Sequence, residues 1–401
     1  MRISTSTLFN VNVAQLNTLE SNMLHTQQQV ASGQSILTPA DNPAGAAQAL
    51  QVTQTDATNT QYLSNISTAQ STQTLASGVL QNFNTQLQSI QTSVLSAGNT
   101  SMSDGNRQSL AATMQTSLNQ LIAMANSQDA TGNYMFSGFK GSTKPFANTS
   151  TGVQYMGDDG QRSIQISPNS QSASSNSGAD IFMRIKNGNG TFVTQATTTN
   201  TGTGIVSQGS VINQALVNGD SYQINFTSAT TYNVTDTTTA TAVSAGNAYV
   251  SGQAISFGGM QLNISGSPAS GDTFTVAPST NESVFQTISN FITTLNTPIT
   301  GNPAAAAQLT AGIQSTMSGL TNAMNSVSTA NAALGSSLNG LAAMTTSDNN
   351  LHVQYQQTLA NLQSVNMTQA ITDLTQQQTI LKAAQQSFVS VENLSLFNYM
   401  R

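Results

Sequence analysis

Five positions spaced by seven constrain this chain more than any other feature. Ile66, Leu80, Leu87 and Val94 share one heptad row with polar Gln73. Ala69, Ala76, Phe83, Ile90 and Ala97 fill the row three residues on. A strand cannot place residues seven apart on one face, because its side chains alternate with period two. The pattern predicts a long helix whose one side is packed along its whole length. Asn42 followed by Pro43 reads as its N-cap and first helical residue. Gly98, in "SAGNTSMSDG", reads as a left-handed C-cap. A return helix follows with Leu110, Met114, Leu118, Leu121 and Ala125.

Both ends of the chain repeat the pattern. Phe9, Leu16, Met23 and Val30 step by seven at the start, with Leu19 alongside. Ile313, Leu320, Val327, Leu334 and Leu341 step by seven in the far half, with Met317, Met324 and Leu338 beside them. A last stretch places Met367, Leu374, Leu381 and Phe388 on one row, with Ala370, Ala384 and Val391 on the next. The segment "SFVSVENLSLFNYMR" adds Phe397 and other apolar residues in a chain that is only 5% aromatic. Chain ends are ordinarily polar and frayed, so these stripes are expected either to dock on the chain's own core or to meet another subunit.

The middle is different. From 141 to 281 it is rich in Thr, Ser, Gly and Asn. Alternating runs such as "SIQIS", "SYQINF", "MQLNIS" and "DTFTV" stand between turn signals. The stretch "TTYNVTDTTTATAV" reads as an edge strand or a loop. Helical spacing resumes with Val284, Phe285, Ile288, Phe291, Ile292 and Leu295. The expected fold class is therefore α+β and multidomain. Long helices from both ends form a discontinuous coiled-coil-like bundle, and an all-β domain is inserted into it. The expected boundaries are 1–32 with 360–401 for the terminal helices, 33–140 with 282–359 for the helical rod, and 141–281 for the β domain.

Charged residues make up 6% of the 401 positions, with a net charge of −6. No basic patch is present, which argues against nucleic acid. A surface so poor in charge lets identical subunits pack with little cost of stripping water from ions. The apolar runs are too short to span a bilayer. The N-terminus lacks a cleaved-signal pattern, so the chain is expected to stay in the cytoplasm or to leave by a route that needs none.

Catalytic candidates are few. His25 and His352 are the only histidines, and there is no cysteine. Each histidine sits in a polar helical stretch and reads as solvated or interfacial. Asp158 and Asp159 in "GDDG" read as a hairpin turn, since a cation loop needs several oxygens at alternating positions. "GSTKP" at 141–145 has the letters of a phosphate loop in the wrong order. The expectation is no enzyme activity, no cofactor and no metal.

The segment "ASGQSILTPADNPAGAAQAL", residues 31–50, resembles the N-terminal signature of the bacterial flagellin superfamily. The matching positions are Ser32, Gly33, Ile36, Asp41, Pro43, Gly45 and Ala46. That family commonly carries a basic residue where this chain has Ser35. The blocks "GNYMFSGFKGSTKPF", "YMGDDGQRSIQIS" and "GDTFTVAPSTNESVFQTI", with the ends "RISTSTLF" and "LSLFNYM", resemble the branch found where hook meets filament. The resemblance implies a structural adaptor built by head-to-tail assembly of this chain into a ring. It implies an assembly interface along Phe9, Leu16, Met23, Val30, Met367, Leu374, Leu381, Phe388 and Phe397, in termini that are unfolded before assembly. It also implies neighbours: the hook-side junction protein and flagellin. It implies a cytoplasmic chaperone on the C-terminal segment and secretion through the flagellar type III export apparatus to the extracellular flagellum. Two alternatives stand beside this reading: flagellin itself, the bulk filament subunit, and a secreted β-domain binding module on a helical stalk.

Overall fold

The structure is a computed structural model describing residues 5–150 and 152–399, with side chains as far as residue 391. The chain divides into two compact units, Met1–Ser64 with Met344–Arg401, and Asn65–Ala343. Six long helices run in chain order: α1 (Thr5–Ser32), α2 (Pro43–Ala97), α3 (Asp104–Ala125), α4 (Val284–Leu295), α5 (Pro303–Gln363) and α6 (Met367–Tyr399).

In the Asn65–Ala343 unit the heptad rows of α2 are buried along their whole length. Ile66, Leu80, Phe83, Leu87 and Val94 are removed from solvent, as are Ala69, Ala76, Ile90 and Ala97. From Ala76 onward they share one core with Met114, Leu118 and Leu121 of α3, Phe285, Ile288 and Phe291 of α4, and Leu320, Val327 and Leu334 of α5. Ser103 and Ser283 cap α3 and α4, their hydroxyls accepting the N–H of Asn106 (3.2 Å) and Gln286 (3.0 Å). Capping satisfies donors that would otherwise lack partners. Asp104 ties α3 to the loop before α5. Its carboxylate accepts the N–H of Ile299 (3.1 Å) and Thr300 (3.3 Å) and pairs with the buried guanidinium of Arg107. These bonds, that of Ile299 foremost, hold the Asp104 carboxyl far below the usual range.

One expected cap differs. Gly98 is not left-handed. α2 ends instead by tightening, with the N–H groups of Gly98 and Asn99 donating to Leu95 and Ser96 three residues back (both 3.1 Å).

The β region holds two populations of strands. Tyr222–Ser228, Thr231–Asp236, Thr241–Ala248, Thr273–Pro278 and Phe192–Ala196 form a five-stranded antiparallel sheet. Met260–Ser265 pairs with Ala254–Phe257, Ile205–Val206 and Ser210–Val211 in a second sheet. Their inward residues, among them Phe192, Ile224, Phe226, Leu262, Ile264 and Phe274, make a separate core. The threonine-rich stretch forms the edge strand Thr241–Ala248 and its neighbour. Residues 146–185 do not join that core. Phe146, Phe182 and Ile185 belong to the helical core, where the Phe182 ring stands 4.6 Å from Phe83 and 5.6 Å from Phe146. The expected boundary at 141 thus cuts through the helical core, and the separate β core begins at Phe192.

The two chain crossings into this β core lie side by side. Asn187 donates its N–H to Thr280 (3.1 Å), the Ser279 hydroxyl donates to the Asn187 carbonyl (2.7 Å), and Lys186 pairs with Asn281. Loop length itself costs little. Replacing residues 190–277 by a short Gly/Ser linker should therefore leave helical circular dichroism and melting nearly unchanged. Replacing 141–281 removes Phe146, Phe182 and Ile185, and deletions of such side chains cost about 2–5 kcal/mol each. That variant should melt far lower; equal melting of the two would contradict the boundary.

Candidate assembly end

The unit containing both chain ends is built around two turns. Gly33 ends α1 in the left-handed region (φ +72°), where its N–H still donates to Gln29 (2.9 Å). A residue with a Cβ would be strained there. The turn so formed pairs with the turn between α5 and α6. The N–H of Val365 donates to the Gly33 carbonyl (3.0 Å), and the N–H of Ser35 donates to Gln363 (2.6 Å). The Ser35 hydroxyl reaches the same carbonyl (3.1 Å). At the position where the family commonly carries a basic residue, this chain makes a neutral bond across the two turns.

The rest of the signature shapes the start of α2. Asp41 accepts the N–H of Leu37 (2.9 Å) and Thr38 (2.8 Å) and faces His25 of α1 at 3.0 Å. The backbone bond from Thr38 is the main cause that lowers its pKa. Asn42 caps α2, its Oδ1 accepting the Gly45 N–H (2.9 Å), with Pro43 as the first helical residue. Gly45 is buried under that cap: a Cβ would lie 2.6 Å from Asn42 Nδ2 and 2.9 Å from Ile36 Cδ1. Ser32 closes α1 by accepting the Gln34 N–H (3.2 Å). Spacing alone did not reveal the partner of either histidine. His352 of α5 meets Asp56 of α2 at 2.6 Å. Nearby, Asn59 donates to the Asp348 carbonyl (2.8 Å).

α1 and α6 pack against each other, with the rings of Phe9 and Phe388 5.4 Å apart. Leu16, Met23 and Val30 on α1, and Leu374, Leu381 and Phe388 on α6, are half-buried. Ala370 is buried, whereas Met367 is exposed. Phe397 lies outside the residues whose side chains are described. Apolar residues flank the α1–α6 seam on both shoulders. At about 100° per residue, Ile371 and Val389 fall on one shoulder of the α6 stripe and Ile380 and Val391 on the other. On α1, Leu8 and Val11 take one side and Leu24 the other. All seven are exposed.

Elsewhere, Asp158 accepts the N–H of Phe139 (2.8 Å) and Gly160 (2.9 Å), and Asp159 pairs with Arg184. The segment is not the expected hairpin turn, since the strands on either side of it, Gly152–Tyr155 and Ser163–Ser167, pair with other strands. Among the described residues no cluster of three His, Cys, Asp or Glu side chains could hold a metal ion. No described helix is long and apolar enough to cross a membrane.

The Asp41 geometry sets a pH dependence. A carboxyl whose folded pKa is depressed contributes stability above its ordinary value of 3.8 and loses it as pH falls through the folded value. Asp41→Ala should lower the melting temperature at pH 7. Its deficit relative to the parent chain should shrink as pH falls below 3.8. A deficit that stays constant down to low pH would contradict the role given to this carboxylate.

A family model described as the bacterial flagellin N-terminal helical region matches residues 3–140. A second, described as the D2-like domain of flagellar hook-associated protein 1, matches residues 195–278. The crystal structure of flagellar hook associated protein-3 from Legionella pneumophila is 32% identical, with a TM-score of 0.73, over 78% of this chain and 98% of that one. FlgL of Xanthomonas campestris is 30% identical, with a TM-score of 0.71, over 76% of this chain and 98% of that one. Flagellar hook-associated protein 3 of Salmonella typhimurium is 24% identical over the full length of both chains. With the signature turn in place and a relative at this identity covered almost end to end, the chain belongs to the flagellar hook-associated protein 3 (FlgL) family.

Proposed function

We propose that this chain is a structural subunit of the bacterial flagellum that joins hook to filament, assembling head to tail through α1 and α6. The role is structural, as it is in its hook-associated relatives. What carries the assembly reading is the pair of apolar shoulders left beside the α1–α6 seam. Fully burying a side chain such as Ile or Leu stabilises by roughly 1.5–3 kcal/mol. With so few charges on these helices, little desolvation cost offsets that gain.

The segments proposed to assemble are close to 1–32 and 360–401. Phe9, Leu16, Met23, Val30, Leu374, Leu381 and Phe388 form the seam of the pair. Met367 joins the exposed residues that meet neighbouring subunits. The hook-side junction protein and flagellin are the proposed axial neighbours. A chain that assembles beyond the cell must leave it first, and we assign that step to the flagellar type III apparatus, with a cytoplasmic chaperone covering the apolar C-terminal segment. The separate β core, whose crossings meet at Asn187 and Thr280, is an appendage to this assembly.

The test is a deletion strain complemented with variants. Without the chain, electron microscopy should find hooks lacking filaments, with flagellin lost to the medium. Ile371→Asp should give a purified protein whose melting matches the parent, because that side chain is already in water. In cells it should not restore filaments, since assembly would bury an unpaired carboxylate at a cost of several kcal/mol in every subunit. Leu381→Asp, on the seam, should weaken the α1–α6 pair of the free chain as well. Normal filaments in the deletion strain would overturn the junction role; normal filaments with Ile371→Asp would remove that shoulder from the assembly.

A further inference from the structure

Phe139 is the exception among the phenylalanines of the Asn65–Ala343 unit. It is 65% exposed while Phe83, Phe136, Phe146, Phe182 and Phe285 are fully buried. The loop around it is built to hold it outward. Gly138 takes φ +70°, and a Cβ there would strike the Asp158 carboxylate at 2.2 Å. That carboxylate accepts the N–H groups on either side of the loop, from Phe139 and Gly160. A Cβ on Gly160 would lie 2.0 Å from the Phe139 ring. The Tyr155 hydroxyl is within reach of the carbonyls of Phe136 (3.0 Å) and Asp158 (2.8 Å). An exposed aromatic ring fixed in this way has little entropy left to lose on binding, and aromatic residues are enriched at interfaces.

Lysines follow this ring in a chain of net charge −6. Five of the nine Lys and Arg side chains lie between Lys140 and Lys186. Lys140 and Lys144 make no ion pair among the described residues. Lys140 Nζ reaches the Gly157 carbonyl at 3.5 Å. Asp158 is the nearby carboxylate that lies in the field of Lys140. Exposed Met156 follows the strand Gly152–Tyr155, its N–H donating to Pro145 (2.7 Å).

The β core carries a loop of the opposite character. Ile212 and Leu216 are 56% and 59% exposed. The loop is pinned by N–H bonds from Ile212 (2.9 Å) and Asn213 (3.0 Å) to Gly259, and by Asn213 capping Ala215 (3.1 Å). A few residues on, the carboxyls of Asp220 and Asp236 face each other, with no Lys or Arg partner among the described residues. Desolvation, and then the charge of Asp236, push the Asp220 carboxyl above its ordinary pKa. An arriving cation would relieve that repulsion.

We propose that the Phe139–Lys140–Lys144 turn of one copy docks on the Ile212–Leu216–Asp220 loop of a second copy. Each patch sets exposed apolar side chains beside charge. Among the described residues Lys140 and Lys144 are without an ion pair on one and Asp220 is without a Lys or Arg partner on the other, so the unlike patches attract. The contact is heterologous, the kind that propagates around a ring rather than closing a dimer. It deepens the head-to-tail reading above and rests on it.

The chain has no cysteine, so single introduced cysteines report contacts without background. Cells lacking the parent chain would co-express Lys140→Cys and Asp220→Cys forms. Hook–filament preparations would then be treated with a short bismaleimide. The expected result is a crosslinked dimer in the mixed preparation and none when either form is expressed alone. Protein present in these preparations but uncrosslinked in the mixture would overturn this contact while leaving the junction reading intact. Crosslinking of either form alone would show like patches meeting, and would also overturn it. Absence of the chain from hook–filament preparations of the parent strain would overturn the junction reading and this contact with it.

Discussion

Two helices packed together can bury only one stripe each. That constraint governs the end of this molecule. α1 and α6 spend Leu16, Leu381 and Phe388 on one another, and Phe9, although it touches Phe388, is still 46% exposed. Leu8, Val11, Ile371, Ile380 and Val389 remain in water on either side. A helix inside a bundle would have these shoulders covered by further helices of the same chain. In a subunit of a larger assembly the covering helices come from its neighbours, and the exposed apolar surface is then the reserve of free energy for assembly.

The signature turn follows from the same requirement. For α1 and α6 to pair, chain segments hundreds of residues apart must arrive in register. Gly33, Ser35, Gln363 and Val365 achieve this with a few backbone bonds between two turns. Gly45 lets the Asn42 cap and Ile36 close over the start of α2. Asp41 holds the intervening loop to α1 through His25. Each of these residues fixes where a helix begins or ends or how its neighbouring loop is held.

Much of this was legible beforehand, and the reasons differ by element. The α2 and α5 rows were readable because a helix covered on one side repeats its burial every seven residues. The Asn42–Pro43 start was readable because capping is local in sequence. The partner of the α1 and α6 rows was not, since an apolar stripe looks the same whether its own chain or a neighbour covers it. The β boundary was missed because Phe146 stands on a short polar hairpin strand and Phe182 in a single helical turn, Ala179–Met183, and neither is long enough for a period to mark it as helical core. Gly98 misled because a glycine after a helix usually signals a left-handed cap, whereas here the last turn tightens with ordinary φ. The partners of His25 and His352 depend on packing between separate segments and had no local signal.

The central claim is that α1 and α6 form a pair whose shoulders are completed by other subunits. Amide hydrogen exchange on the free chain and on the same chain in isolated hook–filament junctions tests it most directly. Opening free energies vary across a structure with the contacts each element has. The account predicts that α1 and α6 exchange much faster than the buried part of α2 in the free chain. On assembly they should slow strongly, while the β-core strands Phe192–Ala196 and Thr273–Pro278, outside the Ile212–Asp220 contact, change little. Equal protection of α1 and α6 in the free and assembled chain would contradict it.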